Sequence, residues 1–242
     1  MKNDNARHEF KYVFNQLKAR SIETFIQKIG VKKDTSQGGS YPVTSLYFDT
    51  PTLEDYYDKL AGLKYRKKLR ARVYESTFEN QRNEMLLEIK EKHDMNTDKT
   101  RSVINSDLLQ KLADKDMMGF LGSSATKESP FLKRFAHIYW TKGYGPHLVV
   151  RYQRRAYTDN FFSSIRLTFD SNIETCKWNN FKYNNPIMIP VAKDMVIMEV
   201  KFHTAMPWWF KEVTNRFELS RQAISKYTAA ADVINRVRPL PR

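Results

Sequence analysis

Short segments in which apolar and polar residues alternate recur along the chain. Successive residues of a β-strand point to opposite faces, so this alternation predicts half-buried strands. It occurs at 7–14, 43–49, 63–75, 84–92, 147–158, 163–171 and 195–203. Apolar residues three and four positions apart instead predict helices at 15–29, at 105–118 and, as two stretches, within 207–236. This mixture of elements indicates an α+β fold.

The segments between these elements predict connections rather than a second domain. Residues 52–60 predict a helical turn, 119–130 a linker or surface turn, and 172–190 a hairpin excursion. No composition shift marks a firm boundary. We therefore expect a single domain over 1–242, with 237–242 as a loose C-terminal tail.

Charged residues occupy one face of most predicted strands. Arg70 and Arg72 share a face, as do the members of three Glu-x-Lys pairs, and the alternate positions are apolar. The three pairs are Glu9/Lys11, Glu88/Lys90 and Glu199/Lys201. A sandwich with one solvated face would explain any single strand. A barrel whose apolar face packs outward against helices would instead direct the charges into a lumen suited to a polyanion.

The net charge of the chain favours anionic ligands. The chain has 41 Lys and Arg against 27 Asp and Glu, a formal charge of +14. Such a field attracts nucleic acid, anionic lipid, nucleotides or polyphosphate, and charge alone does not choose among them. Glutamate on three strands argues against nucleic acid, because it repels a phosphate backbone unless a metal intervenes. No Gly-rich phosphate loop is present, which excludes P-loop and Rossmann mechanisms.

Cysteine content and hydropathy bear on location. The single cysteine, Cys176, excludes an internal disulfide and a multi-cysteine zinc site. No apolar run approaches the roughly 20 residues of a membrane helix. The polar start lacks the apolar segment of a signal peptide. These features predict a cytoplasmic protein without a membrane span.

Eight short motifs in a fixed order carry a family resemblance. They are RHEFKY (7–12), SLYFDTP (45–51), LRARVY (69–74), LEIKEK (87–92), YQRRAY (152–157), IRLTFD (165–170), MEVKF (198–202) and SKY (225–227). Each is weak alone, but together they span nearly the whole chain. In this respect the sequence resembles the VTC domain of the triphosphate tunnel metalloenzyme (CYTH-like) superfamily.

The resemblance implies both a fold and an activity. The fold is a closed antiparallel β-barrel of about eight strands, forming a polar tunnel with helices packed outside. The activity is that of a polyphosphate polymerase, which transfers the terminal phosphate of ATP onto a polyphosphate chain with Mn²⁺ or Mg²⁺. The alternatives are a metal-dependent inorganic or nucleoside triphosphatase and a non-catalytic module that binds polyphosphate or inositol polyphosphate. Candidate partners beyond ATP and polyphosphate are an inositol polyphosphate regulator and a membrane-protein acceptor.

The resemblance also assigns roles to individual residues. Its catalytic set is Arg70, Arg72, Lys90, Arg154, Arg166, Lys201 and Lys226. Its phosphate-binding set is Lys11, Arg7, Arg155 and Arg221, and its metal ligands are Glu199, Glu88 and Glu9.

Three departures from the family pattern affect these assignments. Hydrolytic relatives begin Glu-x-Glu-x-Lys, whereas Arg7 replaces the first glutamate here, which favours a polymerase over a hydrolase. The C-terminal motif has Ala223 where the polymerase pattern has a second lysine, and Arg221 is a candidate substitute. In the strand at 147–158, Arg154 shares its parity with apolar residues. A bulge would turn Arg154 towards the tunnel, and the family motif favours this residue; without a bulge Arg155 takes that place.

Overall fold

The computed structural model describes residues 8–35, 38–75, 85–94, 96–159, 165–178, 187–202 and 206–237. Within them the chain is an α+β protein built on antiparallel strands. The strands are β1 (His8–Asn15), β2 (Lys32–Lys33), β3 (Tyr41–Asp49), β4 (Tyr65–Val73), β5 (Met85–His93), β6 (Asn96–Ile104), β7 (Gly145–Thr158), β8 (Arg166–Lys177), β9 (Ile189–Pro190) and β10 (Met195–Phe202). The helices are α1 (Gln16–Lys28), α2 (Glu54–Leu60), α3 (Ser106–Ala113), α4 (Met117–Gly122), α5 (Ser124–Glu128), α6 (Pro130–Thr141), α7 (Trp208–Arg216) and α8 (Lys226–Val237).

The predicted strands and the helices α1, α3, α7 and α8 are confirmed within these residues, but the prediction of a linker at 119–130 is wrong. That segment forms the end of α4, the whole of α5 and the start of α6. Asp116, Ser123 and Ser129 each accept a backbone N–H bond as the N-cap of one of these helices. A Gly- and Ser-rich segment can thus form short helices when its polar residues occupy capping positions.

The chain forms two compact units, and each combines several chain segments. The first unit comprises residues 1–42, 152–174 and 190–225. In it β1 pairs with β10, β10 with β8, and β2 with β7, all antiparallel. Its core joins the apolar faces of these strands to α1 and α7. Its fully buried members include Tyr12, Ile22, Phe169, Met198 and Phe210.

The second unit comprises residues 43–151, 175–189 and 226–242. Its strands β3, β4, β5 and β6 follow one another as antiparallel neighbours. Their apolar side packs against α3, α4 and α6. This core includes Leu69, Leu87, Leu109, Phe120 and Phe135, all fully buried.

The alternation seen in the sequence therefore has a structural basis: in each unit one sheet face packs on helices and the other is polar. That the chain is a single domain over 1–242 stays a prediction. Residues 238–242 of the expected loose tail lie outside the described residues. No helix in the described part is long and apolar enough to cross a membrane.

We predict that Leu109→Ala lowers the free energy of unfolding by about 2–5 kcal/mol, because this fully buried side chain leaves a cavity. Leu121→Ala is the matched control, since Leu121 is 39% exposed on neighbouring α4. It should change stability by no more than about 0.5 kcal/mol. Urea denaturation followed by circular dichroism measures both. Equal losses in the two variants would contradict this description of the core.

Candidate functional site

Two glutamates and two lysines meet on the polar face of the first unit. We call Glu9, Lys11, Glu199 and Lys201 the quartet. In the β1–β10 register Glu9 lies opposite Lys201, and Lys11 lies opposite Glu199. Directly opposed residues of antiparallel strands project to the same face. The Glu-x-Lys repeat of the sequence thus becomes a compact charge cluster.

The two carboxylates of the quartet share both ammonium groups. Lys11 Nζ lies 3.2 Å from Glu9 Oε1 and 3.5 Å from Glu199 Oε1. Lys201 Nζ lies 3.5 Å from Glu9 Oε2 and 3.8 Å from Glu199 Oε2. The lysine side chains keep 22% and 31% of their surface exposed. A ligand can therefore reach these groups and replace some of their contacts with one another.

Glu9 and Glu199 suit a divalent cation. One or two carboxylates completed by phosphate oxygens are sufficient for Mg²⁺, and oxygen ligands also suit Mn²⁺. No group of three or more His, Cys, Asp or Glu side chains arranged for a metal occurs among the described residues. A cation held by these two carboxylates would take its remaining ligands from substrate and water.

The structure distinguishes Arg154 from Arg155. Arg154 binds Asp170 through two bonds of 2.7 Å, from Nε to Oδ1 and from the second terminal nitrogen to Oδ2. Asp170 shares its strand face with Thr168, which lies opposite Glu199. Burial opposes the charge of Arg154, but Asp170 raises its pKa well above the usual value. Arg154 thus lies on the polar face and stays charged.

Arg155 lies on the opposite face, against α1. Its Nε donates to Glu23 Oε1 at 2.6 Å, and a terminal nitrogen donates to Ser171 Oγ at 3.1 Å. The hydroxyl of Tyr157 also donates to Glu23, at 3.1 Å. The structure therefore does not bring Arg155 to the quartet, and its contacts are those of a residue that anchors a helix.

Two further sequence-predicted residues, Arg166 and Arg221, belong to the first unit. Arg166 lies opposite Lys201, is 44% exposed, and donates to the Tyr41 hydroxyl at 3.3 Å. The guanidinium of Arg221 lies 3.5 Å from the ring centre of Phe10, which belongs to the apolar face of β1. The structure therefore does not bring Arg221 to the quartet. Arg7 lies outside the described residues.

A strongly basic sheet face dominates the second unit. The registers of β4, β5 and β6 place eight basic side chains and one acidic side chain, Glu88, on the same face. The basic residues are Arg66, Lys68, Arg70, Arg72, Lys90, Lys92, Lys99 and Arg101. We call this set the basic face. It includes three of the predicted catalytic residues, Arg70, Arg72 and Lys90.

Glu88 is enclosed by cations of the basic face. It is fully buried, and its Oε2 lies 2.5 Å from Arg70 Nε and 4.0 Å from Arg72 Nε. Lys99 forms an ion pair with its other oxygen. Burial alone would raise the pKa of Glu88, but these three cations lower it to about 2. Glu88 therefore acts as an internal counter-ion, and its contacts differ from those expected of a metal ligand.

Lys99 is a candidate functional residue that the sequence analysis missed. Burial and the Arg70 charge lower the pKa of Lys99 to about 8, although Glu88 acts in the opposite direction. Its side chain remains 34% exposed. Glu88 pairs with Arg70, Arg72 and Lys99, so this cluster has three basic side chains for one carboxylate. The sequence did not predict β6 as a strand, because its residues show no clear alternation of apolar and polar positions. Lys99 was therefore not assigned to a sheet face.

Lys226 reaches the polar region of the second unit from the start of α8. The hydroxyl of its neighbour Tyr227 donates to Asp49, a buried residue at the end of β3. The ring of Tyr227 is tilted by 30° against that of Tyr47, with 5.0 Å between ring centres. Tyr47 in turn accepts a bond of 3.3 Å from Arg70. Burial alone would raise the pKa of Tyr47, but nearby cations, Arg70 and Lys226 among them, lower it. Tyr227 thus fixes Lys226 beside the charges of the basic face.

Comparison with known proteins identifies the family. The model of the VTC domain matches residues 6–235, so the chain belongs to the VTC domain family. A comparison with curated proteins finds no match.

Solved structures show the same fold at low identity. A candidate adenylyl cyclase from Hippeastrum, described as having a dominant triphosphatase activity, is 16% identical with a TM-score of 0.50. The match covers 98% of each chain. A candidate adenylate cyclase from Bacillus halodurans is 12% identical with a TM-score of 0.50, over 91% of this chain and 95% of that one. At these identities the likeness concerns the fold alone.

We predict that binding of inorganic triphosphate at about pH 8.5 leads to proton uptake by Lys99. A lysine whose pKa is about 8 is mostly neutral there, and a nearby polyanion raises that pKa. Titration calorimetry without metal, in two buffers of different ionisation enthalpy, gives the number of protons taken up.

We compare the number of protons taken up by the wild type and by Lys99→Met. Protons taken up by triphosphate itself contribute equally in both proteins and cancel in the difference. Lys111→Met is the matched control, since Lys111 lies on α3 and pairs with Asp107. We expect Lys99→Met alone to lose the additional proton uptake. The same uptake in all three proteins would remove Lys99 from the binding site.

Proposed function

We propose that this protein is a polyphosphate polymerase that transfers the terminal phosphate of ATP onto a polyphosphate chain. The observation that carries the proposal is the basic face, which has eight basic side chains and a single carboxylate, the buried Glu88. Membership of the VTC domain family supports it. Closure of the strands into a tunnel barrel of about eight strands, which the family resemblance implies, is part of the proposal.

The basic face fits a linear chain of phosphates better than a single anion. Successive basic residues on β4 are two positions apart, from Arg66 to Arg72, and strand residues rise about 3.3 Å each. The row therefore extends over roughly 20 Å. Arginine can grip phosphate oxygens with two N–H groups, and lysine acts as a mobile point charge. A row of both types can hold successive phosphates and still allow them to advance.

The proposed reaction requires little covalent help from the protein. A terminal oxygen of the polyphosphate chain attacks the γ-phosphorus of ATP, the bond to the β–γ bridging oxygen breaks, and ADP leaves with that electron pair. Phosphate is already ionised at neutral pH, so the attacking group needs no general base. The protein contributes by holding both reactants and by stabilising the charge of the transition state. We assign this role to Arg70, Arg72, Lys90, Lys99 and Lys226.

We propose a separate role for the quartet of the first unit. We assign Glu9 and Glu199 to a divalent cation, Mn²⁺ or Mg²⁺, which when bound would neutralise charge on the transferred phosphoryl group. Lys11 and Lys201 would then turn from these carboxylates to phosphate oxygens. Arg154, held by Asp170, and the more exposed Arg166 lie on the same polar face as the quartet.

Two other assignments follow from the sequence and stay predictions. One is a cytoplasmic location. The other concerns regulation and product delivery, with an inositol polyphosphate as the regulator and a membrane protein as the acceptor. Neither is needed for the proposed chemistry.

The direct experiment incubates the purified protein with ATP and Mn²⁺ and measures polyphosphate, ADP and free phosphate separately. We expect long-chain polyphosphate together with one ADP for each phosphate added. Free phosphate without polymer would make the protein a triphosphatase instead. Tight binding of triphosphate without either product would make it a binding module.

We predict that Glu199→Gln abolishes metal-dependent turnover but leaves the affinity for inorganic triphosphate, measured without metal, unchanged or higher. The amide cannot replace the carboxylate as a charged ligand, and it frees Lys11 and Lys201. Glu212→Gln on α7 is the matched control, because Glu212 is exposed. Wild-type turnover by Glu199→Gln would exclude Glu199 from the metal site.

A further inference from the structure

A buried hydroxyl without a protein partner lies beside the quartet. Thr168 is 4% exposed, and its Oγ1 has no hydrogen-bond partner among the residues that the structure describes. In the β8–β10 register Thr168 lies directly opposite Glu199. Its side chain thus projects to the same polar face as the quartet.

The unpartnered Thr168 hydroxyl lowers the stability of the folded protein. Burying a hydroxyl without a hydrogen bond costs roughly 1–3 kcal/mol by mutational measures. Valine has the same shape, suits a strand, and would avoid that cost. Thr175 on the same strand shows the usual solution, because its Oγ1 donates to the Val149 carbonyl at 2.9 Å. Thr168 therefore carries a polar group that this fold does not itself satisfy.

We infer that the Thr168 hydroxyl is a ligand of the bound phosphate chain and donates a hydrogen bond to a phosphate oxygen. This inference rests on the proposed function and adds a residue to its site. The polar face around Thr168 carries the cations Lys11, Lys201 and Arg166, which can hold an anion, together with Glu199 and with Asp170, which is paired with Arg154. A neutral donor among these cations can bind phosphate without adding a further positive charge.

The test compares Thr168→Val, which removes only the hydroxyl, with Thr168→Ser, which keeps it. We expect Thr168→Val to raise the Kd for inorganic triphosphate, measured by calorimetry in EDTA, by roughly tenfold. Thr168→Ser should stay within about twofold of the wild type. In urea denaturation Thr168→Val should be at least as stable as the wild type, because it removes an unsatisfied polar atom.

Thr175→Val is the matched control on the same strand. It should lose stability, because the Val149 carbonyl loses its partner, and it should keep the wild-type Kd. A destabilised Thr168→Val with unchanged Kd would overturn the inference, since the hydroxyl would then serve the fold. Unchanged Kd without destabilisation would overturn it as well. Failure of the wild type itself to bind triphosphate would instead overturn the proposed function, and this inference with it.

Discussion

The ion cluster around Glu88 is the interaction on which the basic face depends. Arg70, Arg72 and Lys99 would repel one another on adjacent strands without the buried carboxylate between them. In a partly buried setting such repulsion is only weakly screened. Glu88 relieves it enough for the strands to pair, but one carboxylate cannot neutralise three cations. The remaining positive charge is available to a ligand.

The two polar faces solve the problem of charge in different ways. In the quartet two carboxylates balance two ammonium groups, so the cluster is neutral. A ligand can bind only by replacing contacts between these groups. On the basic face the cations exceed the single carboxylate, so it attracts polyanions directly. A reaction that moves a phosphoryl group between two polyanions needs both properties. In the proposed reaction a cation-rich surface would hold the phosphate chains, and carboxylates would bind the divalent cation.

Strand parity was enough to predict which of the charged residues share a sheet face. The three Glu-x-Lys pairs and Arg70 with Arg72 all lie on polar sheet faces, because in a strand the spacing of two residues fixes the shared face. Parity could not decide between Arg154 and Arg155. That choice depends on Asp170 and Glu23, which come from different elements and are matched only by the tertiary fold.

Other features could not be predicted, for identifiable reasons. Lys99 was missed because β6, NTDKTRSVI, is polar on both faces over most of its length and lacks the alternation that marks a half-buried strand. Arg221 follows a helix in an irregular segment, where no periodicity indicates direction. The sequence pattern therefore could not predict that Arg221 packs on Phe10.

The location of bound phosphate tests the central claim most directly. A crystal structure of the protein with inorganic triphosphate, grown without metal to prevent turnover, would show it. We expect phosphate oxygens within hydrogen-bonding distance of Arg70, Arg72 and Lys99, with Glu88 still buried beneath them. Triphosphate bound only at surface lysines such as Lys32 and Lys33, with the basic face free of phosphate, would contradict it.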